Sequence, residues 1–389
     1  MINVLHLRDT DRVCGPGKTI IETACATDAR EFSQKIGLFL LDRETTNRYR
    51  DAALARGVEV IPVRSAHQYD PRIVRTVARL VREHDIHILH SHEYKSDMIA
   101  YAVARLQPLP IMTTIHGWIT HNLKRRVMIG LSQRLLKRFD RVVAVSDETR
   151  RRIRACGVPD ERLVTIHNGI VVPNYRRDDQ EPGYLRSRFA LPPGSVLVGN
   201  IGRLSPEKGQ FDFLEAAAML APEFPSARFV LVGDGPDEAG LRTRVQELGI
   251  ADRVLFTGFL PDVRPVYRDL DILALTSHTE GFPNVVLESL CMQVPVVATD
   301  VGGTGEVVRD DVTGVLVPPH QPAAIAAGLR RLLADAGVAG RLAAAGHRAV
   351  LEQFSFEARV RREEAVYREL MAAWRDTRAG AVSTAKAAV

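Results

Sequence analysis

The chain has 389 residues, 46% of them hydrophobic and 25% charged, with a formal charge of +5. That length suits two α/β domains, each able to bury its own core, and no apolar run approaches the ~20 residues that span a bilayer. The four cysteines, Cys14, Cys25, Cys156 and Cys291, form no CxxC and point to free thiols rather than a disulfide framework or a metal site. The first residues, MINVLHLRDTD, lack the basic, apolar and small-residue pattern of a signal peptide, so a cytoplasmic location is expected. Charge is uneven: residues 1–180 hold 30 Lys and Arg against 21 Asp and Glu, about +9, which leaves about −4 for the remainder. A basic first half suits an acidic partner (anionic lipid, a phosphorylated acceptor or nucleic acid), or it is an Arg-rich solvated surface.

In chain order, strand and helix signals alternate from the start, the pattern of parallel α/β layers. Ile2–Leu7 reads as a strand, Val13–Lys18 as a glycine turn and Thr19–Arg30 as a helix. Lys35–Leu41, Val58–Val63, Ile86–His90, Pro110–Ile115, Val142–Ser146 and Leu163–Ile166 read as further strands. Between them lie helices, among them Pro71–His84, whose Ile73, Val77, Leu80 and Val81 share one face. Val172–Pro193 has no sustained periodicity and reads as a linker. The alternation then restarts with strands at Val196–Ile201, Arg228–Val232, Val254–Phe256, Ile272–Leu275 and Gly314–Val317. From Pro322 to Arg375 the sequence is helical, and residues 379–389 are expected to be a disordered tail. Two doubly wound domains, 1–175 and 190–358, are expected to place a ligand crevice at the carboxyl ends of their strands.

The motifs fall at those strand ends. In Thr276–Glu306, Glu280 and Glu288 flank Gly281, Phe282, Pro283, Asn284 and Val285 at a helix entrance. A helix N-terminus attracts anions, and carboxylates bind sugar hydroxyls, so the stretch suggests a sugar nucleotide. Gly202-Arg203 and Lys208-Gly209 share one loop, where a forked and a point cation suit a diphosphate. Gly15 and Gly17, in CGPGK, resemble the end of a P-loop, but the upstream glycine is missing and Ile20 stands where a dinucleotide fingerprint needs its third glycine. What remains is a glycine loop for close backbone approach, or a plain tight turn. His116 ends a strand, placed to bond a sugar hydroxyl or phosphate, or to serve the structure. His90-Ser91-His92-Glu93 lacks a third ligand at readable spacing, so no metal site is expected. Leu123–Phe139 carries apolar residues at 123, 127, 131 and 135 among Lys124, Arg125, Arg126, Arg134, Lys137 and Arg138. It can lie on an anionic membrane surface or cover the sheet with a charged outer face.

The ordered set GRLSPEKG, LVGDGP, TGFLPDV, EGFPNVVLE, PVVATDVGGTGEVV and TGVLVPP, preceded by CGPGK, HILHSH, TTIHGW, VAVSD and IHNGI, closely resembles the retaining glycosyltransferases of family four. The resemblance implies a GT-B fold, two Rossmann-like domains facing across a cleft, with a C-terminal helix at about 360–378 crossing back onto the first domain. It implies that Arg203 and Lys208 hold the donor diphosphate, with Gly202 in their loop. Glu288 would bind the ribose, and Glu280 with the backbone of 281–284 the donor sugar and phosphate. Phe259 and Leu260 would read the base through their backbone, His116 would contact the donor sugar, and Gly15 or Gly17 would approach donor or acceptor. Pro16 departs from the commoner paired glycines, which bears on the acceptor side.

The expected reaction moves a sugar with retention from a nucleoside diphosphate sugar to a hydroxyl of a glycan or lipid-linked acceptor, in envelope or exopolysaccharide assembly. Neither a metal nor another cofactor is expected, and the two glutamates act as binders rather than the acid–nucleophile pair of a glycosidase. The alternative is a non-catalytic scaffold that holds a nucleotide sugar or lipid phosphate. Nucleic-acid binding lacks the aromatic residues interleaved with basic ones that it needs. Oligomeric state is not set by the sequence.

Overall fold

Apolar strands alternating with amphipathic helices build two separate parallel sheets, each in its own unit. The computed structural model describes the backbone of all residues except 12, 14, 119–122, 177–182, 388 and 389, and their side chains except those of 123–126 and 378–387. One unit comprises Met1–Asn168 with Glu357–Val389, and the other Gly169–Phe356.

The first unit runs β1 (Ile2–Arg8), α1 (Gly15–Ala26), β2 (Phe32–Leu41), α2 (Arg48–Ala55), β3 (Val60–Ser65), α3 (Arg72–Glu83) and β4 (Ile88–Ser91). It continues through α4 (Tyr94–Leu106), β5 (Ile111–Ile115), α5 (Leu123–Leu136), β6 (Arg141–Ala144), α6 (Asp147–Ala155) and β7 (Leu163–Thr165). The second unit holds α7 (Tyr184–Arg188), β8 (Val196–Ile201), α8 (Gln210–Leu220), β9 (Ala227–Val232), α9 (Glu238–Glu247), β10 (Val254–Gly258) and α10 (Arg264–Asp269). There follow β11 (Ile272–Leu275), α11 (Asn284–Cys291), β12 (Val296–Thr299), α12 (Thr304–Val307), β13 (Val315–Val317), α13 (Pro322–Ala334) and α14 (Ala336–Gln353). The last helix, α15 (Phe356–Ala387), returns to the first unit. Strand order is β3-β2-β1-β4-β5-β6-β7 in one sheet and β10-β9-β8-β11-β12-β13 in the other.

Both faces of each sheet are covered, which is why the strands read as near-continuous apolar runs. On β1, Leu5 and Leu7 join the core formed with α3 and α4. Val4 points the other way and meets Ile88, Met112 and Val143 together with Val366, Tyr367, Leu370 and Met371 of α15. The expected crossover segment thus supplies four residues to the core beneath the first sheet.

The structure corrects several expectations. The boundary lies at Asn168/Gly169, not near 175, because Ile170 pairs with the chain's return: its N–H donates to Phe354 O at 2.9 Å, and Phe356 N–H donates to Ile170 O at 3.0 Å. Within the expected linker, α7 is anchored by the Leu185 N–H on Asp269 Oδ2 at 2.5 Å; residues 177–182 lie outside the described residues. Helix α1 starts at Gly15 rather than Thr19, since proline fits a helical first turn and Thr19 Oγ1 bonds back to Gly15 O at 3.0 Å. Cys14 lies outside the described residues, whereas Cys25, Cys156 and Cys291 are free thiols. The tail expected to be disordered is helical through Ala387, in keeping with the helix propensity of its alanines.

Among the described side chains of α5, Ile129, Ser132 and Leu136 are buried, while Val127 and Leu131 are 55% and 43% exposed. Of the apolar stripe at 123, 127, 131 and 135, Val127 and Leu131 therefore face outward and Leu135 packs against the core, while the Leu123 side chain lies outside the described residues. Ser132 fixes the inward face by donating to the buried Asp97 of α4, which also accepts from Ser91 and Thr113, each at 2.7 Å.

Candidate functional site

In the second unit the site grows from glycines at strand ends. Gly233 has φ +136°, and a Cβ there would lie 1.9 Å from Gly202 O; one on Gly235 would lie 2.1 Å from Leu204 O. The loop after β9 can therefore press directly on the loop that carries Arg203, held by Gly202 N–H to Val232 O at 2.9 Å and Leu204 N–H to Asp234 O at 2.9 Å. Gly209, at φ +62°, admits the Thr276 carbonyl, and the Thr276 hydroxyl lies within hydrogen-bond distance of the Lys208 and Gly209 carbonyls. The loops after β8, β9 and β11 are packed backbone to backbone. Glycine makes that possible.

On this platform Lys208 and Glu280 meet. Lys208 Nζ donates to Glu280 Oε1 at 2.6 Å, and Ser277 Oγ donates to the same oxygen at 2.6 Å. The side chain of Lys208 is a quarter exposed and that of Glu280 nearly buried, so the lysine keeps N–H capacity on the solvent side. Arg203 is exposed, and its guanidinium makes no hydrogen bond or ion pair among the described residues; its carbonyl accepts from Gln210 Nε2 at 2.9 Å. Pro283 caps α11 with extended backbone, so Asn284 and Val285 form the first turn, the positive end of the helix dipole. Phe282 is turned inward against Phe354, with ring centroids 5.5 Å apart, leaving its backbone for any ligand contact. Gly281 O accepts from Gly303 N–H at 3.0 Å. Leu260 is half-buried and Phe259 exposed beyond β10, next to Gly258 at φ +71°.

Glu288 has partners that sequence reasoning missed. Tyr175 Oη donates to its Oε1 at 2.7 Å and Tyr267 Oη to its Oε2 at 3.0 Å, and Glu288 is only 8% exposed. Tyr267 Oη also lies 3.2 Å from Val285 O, at the start of the same helix. Burial first, and the Glu288 charge second, hold both phenols above their ordinary range and push the Cys291 thiol up to about 11. The two glutamates are thus held by different groups, a lysine and serine for one and two tyrosines for the other. No local spacing signals the tyrosines, one in the linker and one on α10.

In the first unit, His116 follows β5 and joins a buried cluster. His6 Nδ1 lies 2.9 Å from His92 Nε2, and His92 Nδ1 lies 3.3 Å from His116 Nε2. His90 is bonded to Tyr367 Oη and Thr114 Oγ1, each at 2.8 Å. The third residue missing from the His90–His92 spacing is His6, brought alongside by the pairing of β1 with β4. All six ring nitrogens of His6, His90 and His92 already have protein partners, so the cluster is a hydrogen-bonded network. In the second unit, Asp212, His278 and His320 bring one ligand atom each within 4.8 Å of one another, a donor set of the zinc type, with His278 Nε2 2.8 Å from Asp212 Oδ2. Gly15 and Gly17 lie in the first turn of α1, where Gly17 is buried.

Burial lowers the pKa of His6, and carries those of His90, His92 and His116 well below the imidazole range. In the unfolded chain these rings take up protons near pH 6.5, whereas in the folded unit they do so only at lower pH. Below about pH 6.5 the unfolded state therefore binds more protons, and each histidine removes up to about 1.4 kcal/mol of stability per pH unit. Asp97 and Glu93, raised by burial, act in the opposite sense at lower pH. The urea midpoint of the first unit is expected to fall steeply from about pH 7 to pH 5.5; a constant midpoint contradicts this account.

Residues 185–349 match the family model for glycosyl transferases group 1, and residues 25–172 that for glycosyltransferase family 4. The D-inositol 3-phosphate glycosyltransferase of Nocardia farcinica is 32% identical, covering 69% of this chain and 63% of its own length. The chain thus spans just under two thirds of that relative. The enzyme of the same description from Rhodococcus jostii is 30% identical over 78% of this chain and 73% of its own. Among solved structures, Anabaena Alr3699/HepE in complex with UDP-glucose superimposes with a TM-score of 0.85 over 95% of this chain and all of its own, at 22% identity. Sucrose-phosphate synthase from Thermosynechococcus elongatus does so at 0.80 over 96% and 100%, at 19% identity. These likenesses show the fold, two Rossmann-like α/β units of the GT-B class.

Proposed function

Because this chain belongs to the group 1, family 4 glycosyltransferases, we propose that it moves a sugar with retention from a nucleoside diphosphate sugar to an acceptor hydroxyl. The observation that carries this reading is the convergence of Lys208, Glu280 and the first turn of α11 on one set of strand ends, beside the exposed Arg203. As the bond from the anomeric carbon to the diphosphate breaks, negative charge grows on the leaving oxygen. Lys208, Arg203 and the α11 N-terminus stabilise it without calling on a metal ion. The acceptor hydroxyl attacks on the same face of the sugar. Its oxygen forms the new bond, and its proton passes to the departing diphosphate.

On this reading Glu288 binds the ribose and Glu280 the donor sugar. UDP is the first nucleotide to consider, since a structural neighbour is described in complex with UDP-glucose. The excess positive charge of residues 1–180 supports an anionic acceptor, and inositol 3-phosphate, named in the relatives, is the first to try. Lipid-linked and glycan acceptors of envelope assembly belong to the same class of hydroxyl nucleophile. A thermal-shift panel of UDP-, GDP- and ADP-sugars tests the donor: a ligand at ~100 times its Kd adds about 2.7 kcal/mol to the stability of the unit that binds it. One nucleotide series should raise the melting temperature, and acceptor should then release the nucleoside diphosphate. Stabilisation without turnover on any acceptor would favour a non-catalytic scaffold, and no stabilisation by any donor overturns the proposal.

A further inference from the structure

His116 is the last member of a hydrogen-bond chain whose direction can be read from its far end. The Thr23 carbonyl can only accept, so the Thr27 hydroxyl, 2.7 Å away, must donate to it. That hydroxyl has spent its one proton and can only accept from Gln34 Nε2, at 2.6 Å. Gln34 therefore cannot be flipped, and its Oε1 faces His6 Nε2 at 2.8 Å as an acceptor. The proton of His6 is consequently on Nε2, and its Nδ1 accepts from His92 Nε2 at 2.9 Å. By the same step His92 Nδ1 accepts from His116 Nε2 at 3.3 Å. His116 Nδ1 is then a bare lone pair. It is buried, and it has no hydrogen-bond partner among the described residues.

We infer that the chain from Thr23 through Thr27, Gln34, His6 and His92 holds His116 in the Nε2–H tautomer, so that its Nδ1 accepts a hydrogen bond from a ligand hydroxyl. Each of the three imidazoles carries one proton, because burial disfavours the charged form. A buried acceptor left unpaired is costly, whereas a sugar hydroxyl offers the donor it lacks. A ligand group presenting only an acceptor, such as a phosphate oxygen, is rejected by the same lone pair. This deepens the glycosyltransferase reading, on which the hydroxyl belongs to the sugar. Gln34, His6 and His92 are positioning residues, since their effect on the ligand passes through His116.

The test is ¹⁵N NMR of histidine-labelled full-length protein at neutral pH, with and without UDP-glucose. Free protein should show His116 protonated at Nε2 with an unprotonated Nδ1, and UDP-glucose should shift the Nδ1 resonance while the Nε2 proton stays. Gln34→Glu, which still accepts from His6, should keep this tautomer and a donor KM within about twofold of native. Gln34→Leu, which removes the anchor, should give a mixture of tautomers and a KM raised by roughly tenfold at similar kcat, the size of a lost hydrogen bond. A proton on His116 Nδ1 in the native protein overturns the inference, whatever the activity. The predicted tautomer in a protein that neither binds nor turns over any nucleotide sugar leaves the inference standing and overturns the glycosyltransferase reading instead.

Discussion

Replacing Lys208 by methionine is expected to lower kcat/KM for the nucleotide sugar by about 10²–10³-fold, the usual cost of removing one group that stabilises developing negative charge. The substitution has a second effect that must be separated from the first. Lys208 is the ion-pair partner of the nearly buried Glu280, and its loss leaves that carboxylate with Ser277 as its remaining partner at Oε1. An uncompensated buried charge destabilises the fold on its own account. The double variant Lys208→Met/Glu280→Gln removes the charge as well, and should recover most of the lost melting temperature while remaining as poor a catalyst as the single variant. Steady-state kinetics and thermal melting on the same samples decide it. Turnover by Lys208→Met within about threefold of native sinks the assignment of the diphosphate to this lysine.

Gly302→Ala is expected to cost about 2–4 kcal/mol, from left-handed backbone strain plus a clash the backbone must relieve. Gly302 has φ +55°, and a Cβ there would sit 1.9 Å from the carbonyl oxygen of Glu280. Relief requires moving the 280–281 backbone, which also accepts the Gly303 N–H through Gly281 O. The donor KM should therefore rise along with the loss of stability. Gly249→Ala is the control: φ is +66° there, but a Cβ would meet nothing within 4 Å. Only the backbone term of roughly 1–2 kcal/mol should appear, with KM unchanged. Equal destabilisation of the two variants in urea would show that contact with Glu280 is not what demands glycine at 302.

Much of this site is legible in the chain because its parts are strand ends. Apolar runs followed by glycine locate the loops of Gly202, Gly233, Gly258 and Gly302, and Pro283 announces the start of α11. The partners of those residues are not legible. Tyr175 reaches Glu288 across 113 positions, and His6 reaches His92 across 86, distances at which periodicity carries no information. The start of α1 was obscured because Gly15 and Gly17 read as a turn, although Pro16 between them suits a helical first turn. For α5, the apolar stripe at Val127 and Leu131 competed with Ile129, Ser132 and Leu136 for the inward face. Asp97 decided it, by accepting the Ser132 hydroxyl, and a long-range polar contact of this kind has no signature in local patterning.

The return of α15 sets an order of assembly on the ribosome. Synthesis proceeds from the N-terminus, and domains generally fold as units as they emerge. The first unit cannot do so, because Val366, Tyr367, Leu370 and Met371, which complete the core beneath its sheet, are made only after the whole of the second unit. Gly169–Phe356 is uninterrupted and can finish while the earlier 168 residues still wait for their closing helix. During that interval Val4, Ile88, Met112 and Val143 lack their cover, so the nascent chain presents an apolar sheet face of the kind chaperones bind. Of the two units, the one whose translation begins earlier is the one that matures later.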